Sequence, residues 1–382
     1  MKISIIGGGP AGLTFASLMK RADPAHDITV YERGPRGATW GFGVVFSDRA
    51  LDFLRADDEP LYQMLTPHME TWADLTIVHS DVRIPISGNG FGSIGRLAML
   101  EILYAHAESL GVRLEFDHEI DASLTGFADS DLIVAADGAN SAIRQQRAEA
   151  FGTSIEMRPN RFIWYGTTMP FETLSLTFRS DPAGVFCAHH YRYAPDMSTF
   201  LVEVDAATYA KAGFEAMSPQ DTIAYCERVF AKDLQGHPIL SNNSYWREFP
   251  LIWNERWHDG NIVLMGDALR TAHFSIGSGT RLAMEDAIAL YKAFVECGNR
   301  DGVRPALERY RELRLPPMKK IWDAANVSLR WYEGMGDMMS LDPYEFAYRY
   351  MTRSGRVDHA ALKKRDPLLA QAYERLHPEM RF

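Results

Sequence analysis

Cysteine is scarce in this chain, with 3 residues among 382. Cys187, Cys226 and Cys297 stand far apart, which excludes a disulfide framework and the paired spacing of a zinc site. We expect reduced thiols and no bound metal. The sequence also has no apolar run near the length of about 18 residues that crosses a membrane. The N-terminus reaches Gly7 after only a few apolar residues, which argues against a signal peptide. We therefore predict a cytoplasmic protein without a membrane span.

Basic residues are fewer than acidic ones in this chain. The chain has 40 Lys and Arg against 50 Asp and Glu, which gives a net charge of −10. Such a chain is a poor candidate for general nucleic-acid binding, and we expect no nucleic-acid partner. Its hydrophobic fraction of 46% and charged fraction of 24% are ordinary for a globular protein. At roughly 100–200 residues per domain, the length predicts two or three domains.

A glycine-rich turn stands between a predicted strand and a predicted helix at the start of the chain. The apolar run Ile3–Ile6 predicts the strand, and Pro10 to about Arg21 predicts the helix. A second strand is predicted at Asp27–Tyr31. Strand, turn, helix and strand within about thirty residues make one βαβ unit.

The turn carries the pattern G-x-G-x-x-G of a dinucleotide-binding site. Gly7 permits the tight turn, Gly9 lets the backbone approach a pyrophosphate, and Gly12 lets helix and strand pack closely. Pro10 and Ala11 complete the predicted binding turn. The start of the helix favours the phosphate charge.

An acid follows at the end of the second strand. Glu32 lies 20 residues beyond Gly12 and would accept hydrogen bonds from a ribose diol. We predict that the adjacent Arg33 also contacts the cofactor. An acid at this place disfavours a 2′-phosphate, so NAD and FAD remain as candidates. The chain has one such fingerprint and no C-x-x-C, which excludes a two-dinucleotide disulfide reductase.

Two later segments also follow predicted strands. One is Ala136–Arg144, which contains Asp137-Gly138, and the other is Gly266-Asp267-Ala268, which leads to Gly277-Ser278-Gly279 and a predicted helix ending at Cys297. Together with the N-terminal glycines, these segments resemble the three motifs of the single-component FAD-dependent aromatic hydroxylases, the 4-hydroxybenzoate hydroxylase-like family.

Other segments narrow the resemblance. Gly41–Ser47, Arg158–Thr167 and His273–Thr280 resemble the flavin domains of salicylyl-CoA 5-hydroxylases and of 2-aminobenzoyl-CoA monooxygenase/reductases, and the violacein-pathway hydroxylase. Where the wider family has prolines after the Gly-Asp motif, this chain has His273 and Phe274.

The resemblance implies a mixed α/β fold of the α+β kind. We expect a discontinuous, Rossmann-like FAD-binding domain in residues 1–70, 95–155 and 255–300. A mostly antiparallel β-sheet substrate domain is expected in residues 71–94 and 156–254, where aromatic and β-branched residues are frequent. A C-terminal helical region is expected in residues 301–382, with a break at Pro316-Pro317.

The resemblance also implies cofactor contacts. Asp267 would accept from a ribityl hydroxyl, and the amides around Ile276, Gly277 and Gly279 would stabilise the pyrimidine edge of a tightly but non-covalently bound FAD.

Two further residues complete the implied cofactor site. Asp137 would support the fold and face the cleft between nicotinamide and flavin. Arg96 would approach the FAD pyrophosphate.

The implied activity is a monooxygenation. NAD(P)H, a transient co-substrate, reduces the flavin, O2 gives a flavin C4a-hydroperoxide, and its distal oxygen attacks an aromatic ring. An aryl-CoA thioester such as salicylyl-CoA or 2-aminobenzoyl-CoA is the leading substrate. The alternatives are a free aromatic acid, an indole-derived metabolite, an FAD oxidoreductase that inserts no oxygen, or a binding module.

Candidate catalytic and substrate residues lie in the predicted sheet and beside the flavin glycines. His273 and His189 are the predicted catalytic residues, since histidine suits proton transfer near neutral pH. His189 and His190 are adjacent on a strand, so they point to opposite faces and cannot share a metal. The predicted substrate wall comprises Trp164, Tyr165, Tyr191 and Phe274.

Four methionines near the C-terminus indicate a packing surface, which leaves room for a homodimer interface: Met335, Met338, Met339 and Met351.

Overall fold

Three β-sheets organise the part of the chain that the computed structural model describes, residues 1–298 and 303–380. The strands, in chain order, are β1 (Lys2–Ile6), β2 (Asp27–Tyr31), β3 (Gly43–Ser47), β4 (Glu70–Trp72), β5 (Leu75–His79), β6 (Val82–Ile86), β7 (Phe91–Gly95), β8 (Arg113–Glu115), β9 (Leu132–Ala135), β10 (Thr153–Thr167), β11 (Leu174–Asp181), β12 (Gly184–Ala194), β13 (Met197–Val204), β14 (Ile239–Leu240), β15 (Arg247–Asn254), β16 (His258–Asp259) and β17 (Ile262–Leu264).

The first sheet has the strand order β16-β17-β9-β1-β2-β8. All neighbours are parallel except β16 and β17. Its central strands are short apolar runs buried on both faces, as in a parallel sheet covered by helices on either side. Because these strands come from three distant parts of the chain, the sheet brings the loops after residues 6, 135 and 264 to one edge.

The second sheet has the order β14-β10-β13-β12-β11-β5-β6, and β15 pairs with the first half of β10. Its pairs are antiparallel except β11 with β5. Side chains alternate between its two faces. A small antiparallel sheet, β3-β7-β4, is the third. The predicted mixed α/β fold, with a Rossmann-like sheet and a mostly antiparallel sheet, is confirmed.

The helices cover the sheets and form the C-terminal part. They are α1 (Pro10–Ala22), α2 (Asp48–Asp57), α3 (Glu59–Leu65), α4 (Arg96–Ser109), α5 (Ala142–Gln146), α6 (Ala148–Phe151), α7 (Ala206–Ala212), α8 (Pro219–Val229), α9 (Ala231–Leu234), α10 (Gly279–Cys297), α11 (Arg304–Glu333), α12 (Pro343–Thr352), α13 (His359–Arg365) and α14 (Pro367–Leu376).

Helices α1, α4 and α10 pack around the first sheet, and α11 packs against α10. In the part of the chain described, no helix is long and apolar enough to cross a membrane. The predicted boundary between residues 300 and 301 lies outside the described residues, as do residues 381 and 382.

The predicted break at Pro316-Pro317 is wrong, because α11 runs without interruption through both prolines. Proline inside a helix removes a main-chain donor and crowds the preceding turn, at a cost of about 3 kcal/mol. Here Tyr310 and Arg314 before the prolines and Met318 after them are buried. Packing on both sides of the prolines therefore keeps the helix continuous.

The C-terminal methionines do form a packing surface. Met335 and Met351 are buried in a core with β5, β6 and β11 residues, and Met338 and Met339 pack against that core. The methionines thus pack against residues of the same chain. The homodimer stays a prediction.

Candidate active site

The glycines of the N-terminal turn differ in their surroundings: Gly7 and Gly12 are closely packed, and Gly9 faces open space. A Cβ added to Gly7, whose φ is +111°, would lie 2.3 Å from the Ala136 carbonyl oxygen. A Cβ on Gly12 would lie 2.3 Å from the Gly7 oxygen. A Cβ on Gly9 would meet nothing within 4 Å, and no side chain caps the start of α1 at Pro10. The first amides of α1 can therefore receive a phosphate group.

Glu32 follows β2 and lies over this turn. Its carboxylate accepts hydrogen bonds from the Gly8 and Gly34 amides, each at 2.9 Å. Two bonds fix the carboxylate and leave lone pairs for a ribose diol. Arg33 beside it is exposed.

Arg96 begins α4 and faces the same cleft. Its Nε donates to Thr39 Oγ1 at 3.1 Å, and no carboxylate of the described residues forms an ion pair with it. Burial lowers the pKa of Arg96, while the charges of Asp267 and Glu32 act in the opposite direction. A partly desolvated guanidinium without an acidic partner is suited to bind a pyrophosphate.

The loop after β9 is joined to the loop after β17 by a buried arginine. Arg144 Nη1 donates to the Ala268 oxygen at 3.2 Å, and Nη2 donates to the Ala139 oxygen at 2.5 Å. Asp137 Oδ2 accepts from the Ala142 amide at 3.1 Å, while its Oδ1 is buried without a partner. Burial raises the pKa of Asp137. Arg144 was not among the predicted site residues, although it ends the segment that carried the resemblance.

The third loop leads from the first sheet to α10. Gly266 and Gly277 both have positive φ, +61° and +58°. Asp267 is exposed within the cleft, yet the surrounding protein desolvates its carboxyl and raises its pKa. Ile276 ends a short 3₁₀ turn, and no side chain caps the start of α10 at Gly279. The free amides at this helix start can hold a negatively charged group.

A buried ionic network below this loop was missed by sequence reasoning. Asp286 of α10 is fully buried and accepts from Arg270 Nη2 at 2.8 Å and from Arg314 Nε at 2.7 Å. Its other oxygen accepts from the Gly266 amide at 3.1 Å. The sequence feature that could have indicated this network is a single acidic residue on the apolar face of α10, four residues after the buried Leu282.

These three loops fit FAD. The turn at Gly9 would hold the pyrophosphate with Arg96, Glu32 would hold the ribose, Asp267 the ribityl chain, and the start of α10 the pyrimidine edge. The open face at Gly9 and the guanidinium of Arg96, which has no carboxylate partner within the described ranges, are observations that a simple tight turn does not require.

The segment between Asp267 and α10 docks on the second sheet. The Phe274 ring lies 4.9 Å from Phe162 of β10 and 5.3 Å from His189 of β12, between ring centroids. Arg353, after α12, donates to the Ser275 oxygen at 3.2 Å, and Ser275 Oγ bonds to Ser328 Oγ at 2.9 Å. The sheet, the loop and the C-terminal helices therefore meet at Phe274 and Ser275.

His189 and His273 are brought together around a buried acid. Glu203 Oε2 lies 3.1 Å from His189 Nε2, and Glu203 Oε1 lies 3.8 Å from His273 Nε2. Asn160 Nδ2 donates to Glu203 Oε1 at 2.8 Å. Burial lowers the pKa of His273 to about 4. Glu203 was not predicted, since its neighbours lie on other strands and loops.

The predicted substrate wall is divided by the sheet. Trp164 lies on the loop side, where a Cβ on Gly41 would meet its indole ring at 2.7 Å. Tyr191 donates to the Gly43 oxygen at 2.8 Å, also on that side. Tyr165, next to Trp164 on β10, is fully buried in the opposite core with Phe186. Because side chains alternate along a strand, Tyr165 cannot share the face of Trp164.

His190 likewise lies on the face opposite His189. It bonds to Thr177 Oγ1 at 2.9 Å and packs on Phe171. His190 is therefore part of the core and not of the site.

Comparisons with known proteins agree with this geometry. Residues 1–325 match the family described as FAD binding domain. The chain is 41% identical over 367 residues to a salicyloyl-CoA 5-hydroxylase from a Streptomyces species, covering 93% of this chain and 70% of that protein. It is 36% identical to the 3-hydroxy-4-methyl-anthranilyl-[aryl-carrier protein] 5-monooxygenase of Streptosporangium sibiricum, with coverages of 88% and 91%. It is 34% identical to the protodeoxyviolaceinate monooxygenase of Chromobacterium violaceum, with coverages of 92% and 94%.

A solved structure shares the fold at low identity. The crystal structure of 2-methyl-3-hydroxypyridine-5-carboxylic acid oxygenase matches with a TM-score of 0.69 and 17% identity, over 95% of both chains. The predicted family resemblance and the predicted FAD cofactor are confirmed by the family match and the relatives. The chain therefore belongs to the FAD binding domain family and, within it, to the FAD-dependent aromatic monooxygenases.

Proposed function

We propose that this protein hydroxylates the aromatic ring of an aryl thioester, using NAD(P)H and O2. The observation that carries the proposal is the similarity to two relatives whose names specify thioester-linked aromatic acids, at 41% and 36% identity over most of this chain. One of these substrates is linked to coenzyme A and the other to a carrier protein. The shared chemistry is an electron-rich ring attached to a thioester.

The residues of this chain supply binding, orientation and water exclusion. FAD held by the three loops would supply the redox chemistry with NAD(P)H and O2. Phe274, Phe162 and Trp164 provide an aromatic wall on the loop side of the sheet that can pack against a ring. The histidines His189 and His273 supply polar atoms beside that wall.

A second candidate substrate is a free aromatic metabolite without a thioester. The similarity to the protodeoxyviolaceinate monooxygenase favours this alternative, at 34% identity over 92% of this chain. The same aromatic wall suits an indole-derived compound. The choice between the two depends on whether turnover requires the thioester.

The test is NAD(P)H consumption by the FAD-loaded protein. The panel contains salicylyl-CoA, 2-aminobenzoyl-CoA, their free acids, indole compounds and an aryl-loaded carrier protein. Oxygen uptake and product mass are followed together. A thioester that accelerates flavin reduction and gains one oxygen atom supports the proposal. Stimulation by free acids or indoles alone contradicts the thioester requirement. If the flavin turns over but no compound of the panel gains an oxygen atom, the proposed hydroxylation of these compounds is contradicted.

A further inference from the structure

We propose that Glu203 is a positioning residue that prepares His189 to take a proton from a phenolic hydroxyl substituent of the aromatic ring. The inference rests on the proposed function, because it assigns the proton transfer that makes such a ring electron-rich. His189 is the residue that would touch the substrate, and Glu203 acts through it.

The carboxylate of Glu203 is buried and held from three sides. Its side chain is 1% exposed. Oε2 lies 3.1 Å from His189 Nε2 on β12, and Oε1 accepts from Asn160 Nδ2 on β10 at 2.8 Å. His273 Nε2, on the loop, lies 3.8 Å from Oε1. Because the sheet and the loop both contact it, the carboxylate has little freedom to turn.

Glu203 is ionised at neutral pH despite its burial. Burial by itself raises its pKa, but the hydrogen bonds from His189 and Asn160 act in the opposite direction, and the pKa lies below its usual value. An ionised carboxylate only accepts hydrogen bonds. The proton between Glu203 and His189 therefore resides on His189 Nε2.

This arrangement fixes the tautomer of His189. In a neutral imidazole with a proton on Nε2, Nδ1 is an acceptor. His189 Nδ1 makes no hydrogen bond to any residue in the described ranges, and the side chain is 12% exposed. The ring lies 5.3 Å from Phe274, whose loop leads into Gly277 and α10. The His189 ring is thus next to the aromatic wall and to the loop that leads to α10.

His273 is less suited to the same task. Its Nδ1 accepts from the Ser275 amide at 3.4 Å and caps the 3₁₀ turn, so its remaining proton lies on Nε2 toward Glu203. Burial lowers its pKa to about 4, so it stays neutral near pH 7. His273 therefore shapes the loop and faces Glu203, whereas His189 keeps a free acceptor.

Two arginines lie near this cluster. Arg158 of β10 pairs with Glu333 of α11 at 2.6 Å, and Arg353 lies over the Tyr350 ring at 3.8 Å. Cys187, Tyr332 and Tyr350 are the other titratable groups here, and burial raises the pKa of each. All three remain neutral near pH 7.

The proton transfer is balanced without a further reactant. The O–H bond of the phenolic substituent breaks, its electron pair stays on the oxygen as a phenolate, and the proton forms a bond to His189 Nδ1. Nothing is oxidised or reduced in this step. The imidazolium formed is stabilised by the Glu203 carboxylate, and it returns the proton to solvent after turnover.

The experiment compares Glu203→Gln with Glu203→Asp in the FAD-loaded enzyme. Glutamine keeps the size but loses the charge, whereas aspartate keeps the charge on a shorter side chain. Asp233→Asn is the matched control, because Asp233 is a buried carboxylate that binds Arg179 at 2.7 and 2.9 Å on the far side of the same sheet. The readouts are kcat for the substrate that turns over, its pH profile, and the rate of flavin reduction without substrate.

We expect Glu203→Gln to lower kcat by about 10²-fold, within the range of general-base catalysis. The acidic limb of the kcat–pH profile should also move, while substrate-free flavin reduction stays within twofold of wild type. Glu203→Asp should recover part of kcat, and Asp233→Asn should leave the profile unchanged. An unchanged kcat and profile in Glu203→Gln overturns the proposal. So does a loss that is equal at every pH and accompanied by loss of FAD.

A second readout keeps this proposal separate from the proposed function. In holoenzyme labelled with ¹⁵N-histidine, the wild-type His189 should show the Nε2–H tautomer, and Glu203→Gln should mix the two tautomers. A pure Nδ1–H tautomer in the wild type overturns the Glu203 proposal even if the enzyme hydroxylates a thioester. The expected tautomer with no oxygenated product in the panel instead refutes the proposed function alone.

Discussion

Arg144 and Ala268 join two loops that are 124 residues apart in the chain: Arg144 Nη1 donates to the Ala268 oxygen at 3.2 Å. The same guanidinium donates to the Ala139 oxygen. One buried side chain therefore sets the spacing between the Asp137 loop and the Asp267 loop. Both loops border the cleft that fits FAD.

Replacing Arg144 by methionine should weaken both the fold and FAD binding. The change keeps most of the side-chain volume but leaves the Ala139 carbonyl without its side-chain donor and the Ala268 carbonyl with only the longer bond from Asn254 Nδ2 at 3.4 Å, at about 1–3 kcal/mol for a buried group left unsatisfied. Thermal unfolding of the apoprotein and titration with FAD, followed by flavin fluorescence, measure the two effects. Arg113→Met, at a side chain that is 58% exposed, is the control. Equal changes in both variants would contradict the role of Arg144 as a link between the loops.

Gly9 and Gly12 should respond differently to alanine, although they are three residues apart. A Cβ on Gly12 would overlap the Gly7 oxygen at 2.3 Å, so Gly12→Ala should destabilise the apoprotein by about 1–3 kcal/mol. Gly9 has an ordinary extended φ of −85° and open space around it. Gly9→Ala should leave apoprotein stability within about 1 kcal/mol and raise the FAD dissociation constant at least about tenfold.

Urea unfolding of the apoproteins and FAD titration separate the two glycines. The Gly9→Ala result is decisive by itself, because this variant is expected to fold. A Gly9→Ala protein that binds FAD as tightly as wild type would show that the open face of the turn does not receive the pyrophosphate.

The sequence predicted what depends on neighbours along the chain. The Gly7–Gly12 turn and the placement of Glu32 at the end of β2 both follow from spacing within one βαβ unit. The sequence did not show which of Trp164 and Tyr165 points toward the loop before α10. Alternation places adjacent side chains on opposite faces of a sheet but does not say which face contacts that loop.

Contacts between distant segments could not be predicted in the same way. Glu203 bonds to Asn160 and His189 on two other strands, and Asp286 bonds to Arg314 across two helices. In sequence, each is a single polar residue in an apolar stretch. Only the packing of the elements shows that these residues are the centres of buried polar clusters.

Asp286→Asn should be among the most destabilising single changes in the chain. Removing its charge leaves Arg270 buried without an ion-pair partner among the described residues, while Arg314 keeps its pair with Glu285 at 2.8 Å; the expected cost is about 3–5 kcal/mol. Arg270→Met in the same background removes the uncompensated cation and should restore part of the loss. Urea unfolding of the FAD-free protein measures each variant.

A surface acid provides the comparison for Asp286. Asp323→Asn breaks an exposed pair with Lys319 at 2.7 Å and should change the unfolding free energy by less than about 1 kcal/mol. If Asp286→Asn costs no more than Asp323→Asn, or if Arg270→Met adds to the loss, Asp286 does not stabilise this buried network as described.

Burial of His273 should make the protein less stable in acid. Its pKa is lowered from 6.5 to about 4 in the folded state. Below pH 6.5 the unfolded chain takes up a proton that the folded protein does not, so this stability is present above pH 6.5 and is lost as the pH falls toward 4. The total is on the order of 3 kcal/mol. Burial also lowers the pKa of His190, which adds to the loss of stability in acid.

His273→Asn isolates this contribution, because asparagine can still cap the 3₁₀ turn but does not titrate. Between pH 6.5 and 4.5, the unfolding free energy of the variant should fall less steeply than that of wild type, by up to about 1.4 kcal/mol per pH unit. Urea unfolding at saturating FAD over this range gives both slopes. Identical slopes would mean that His273 accepts its proton as readily in the folded protein as in the unfolded chain, which the desolvated position beside Glu203 and Phe249 does not allow.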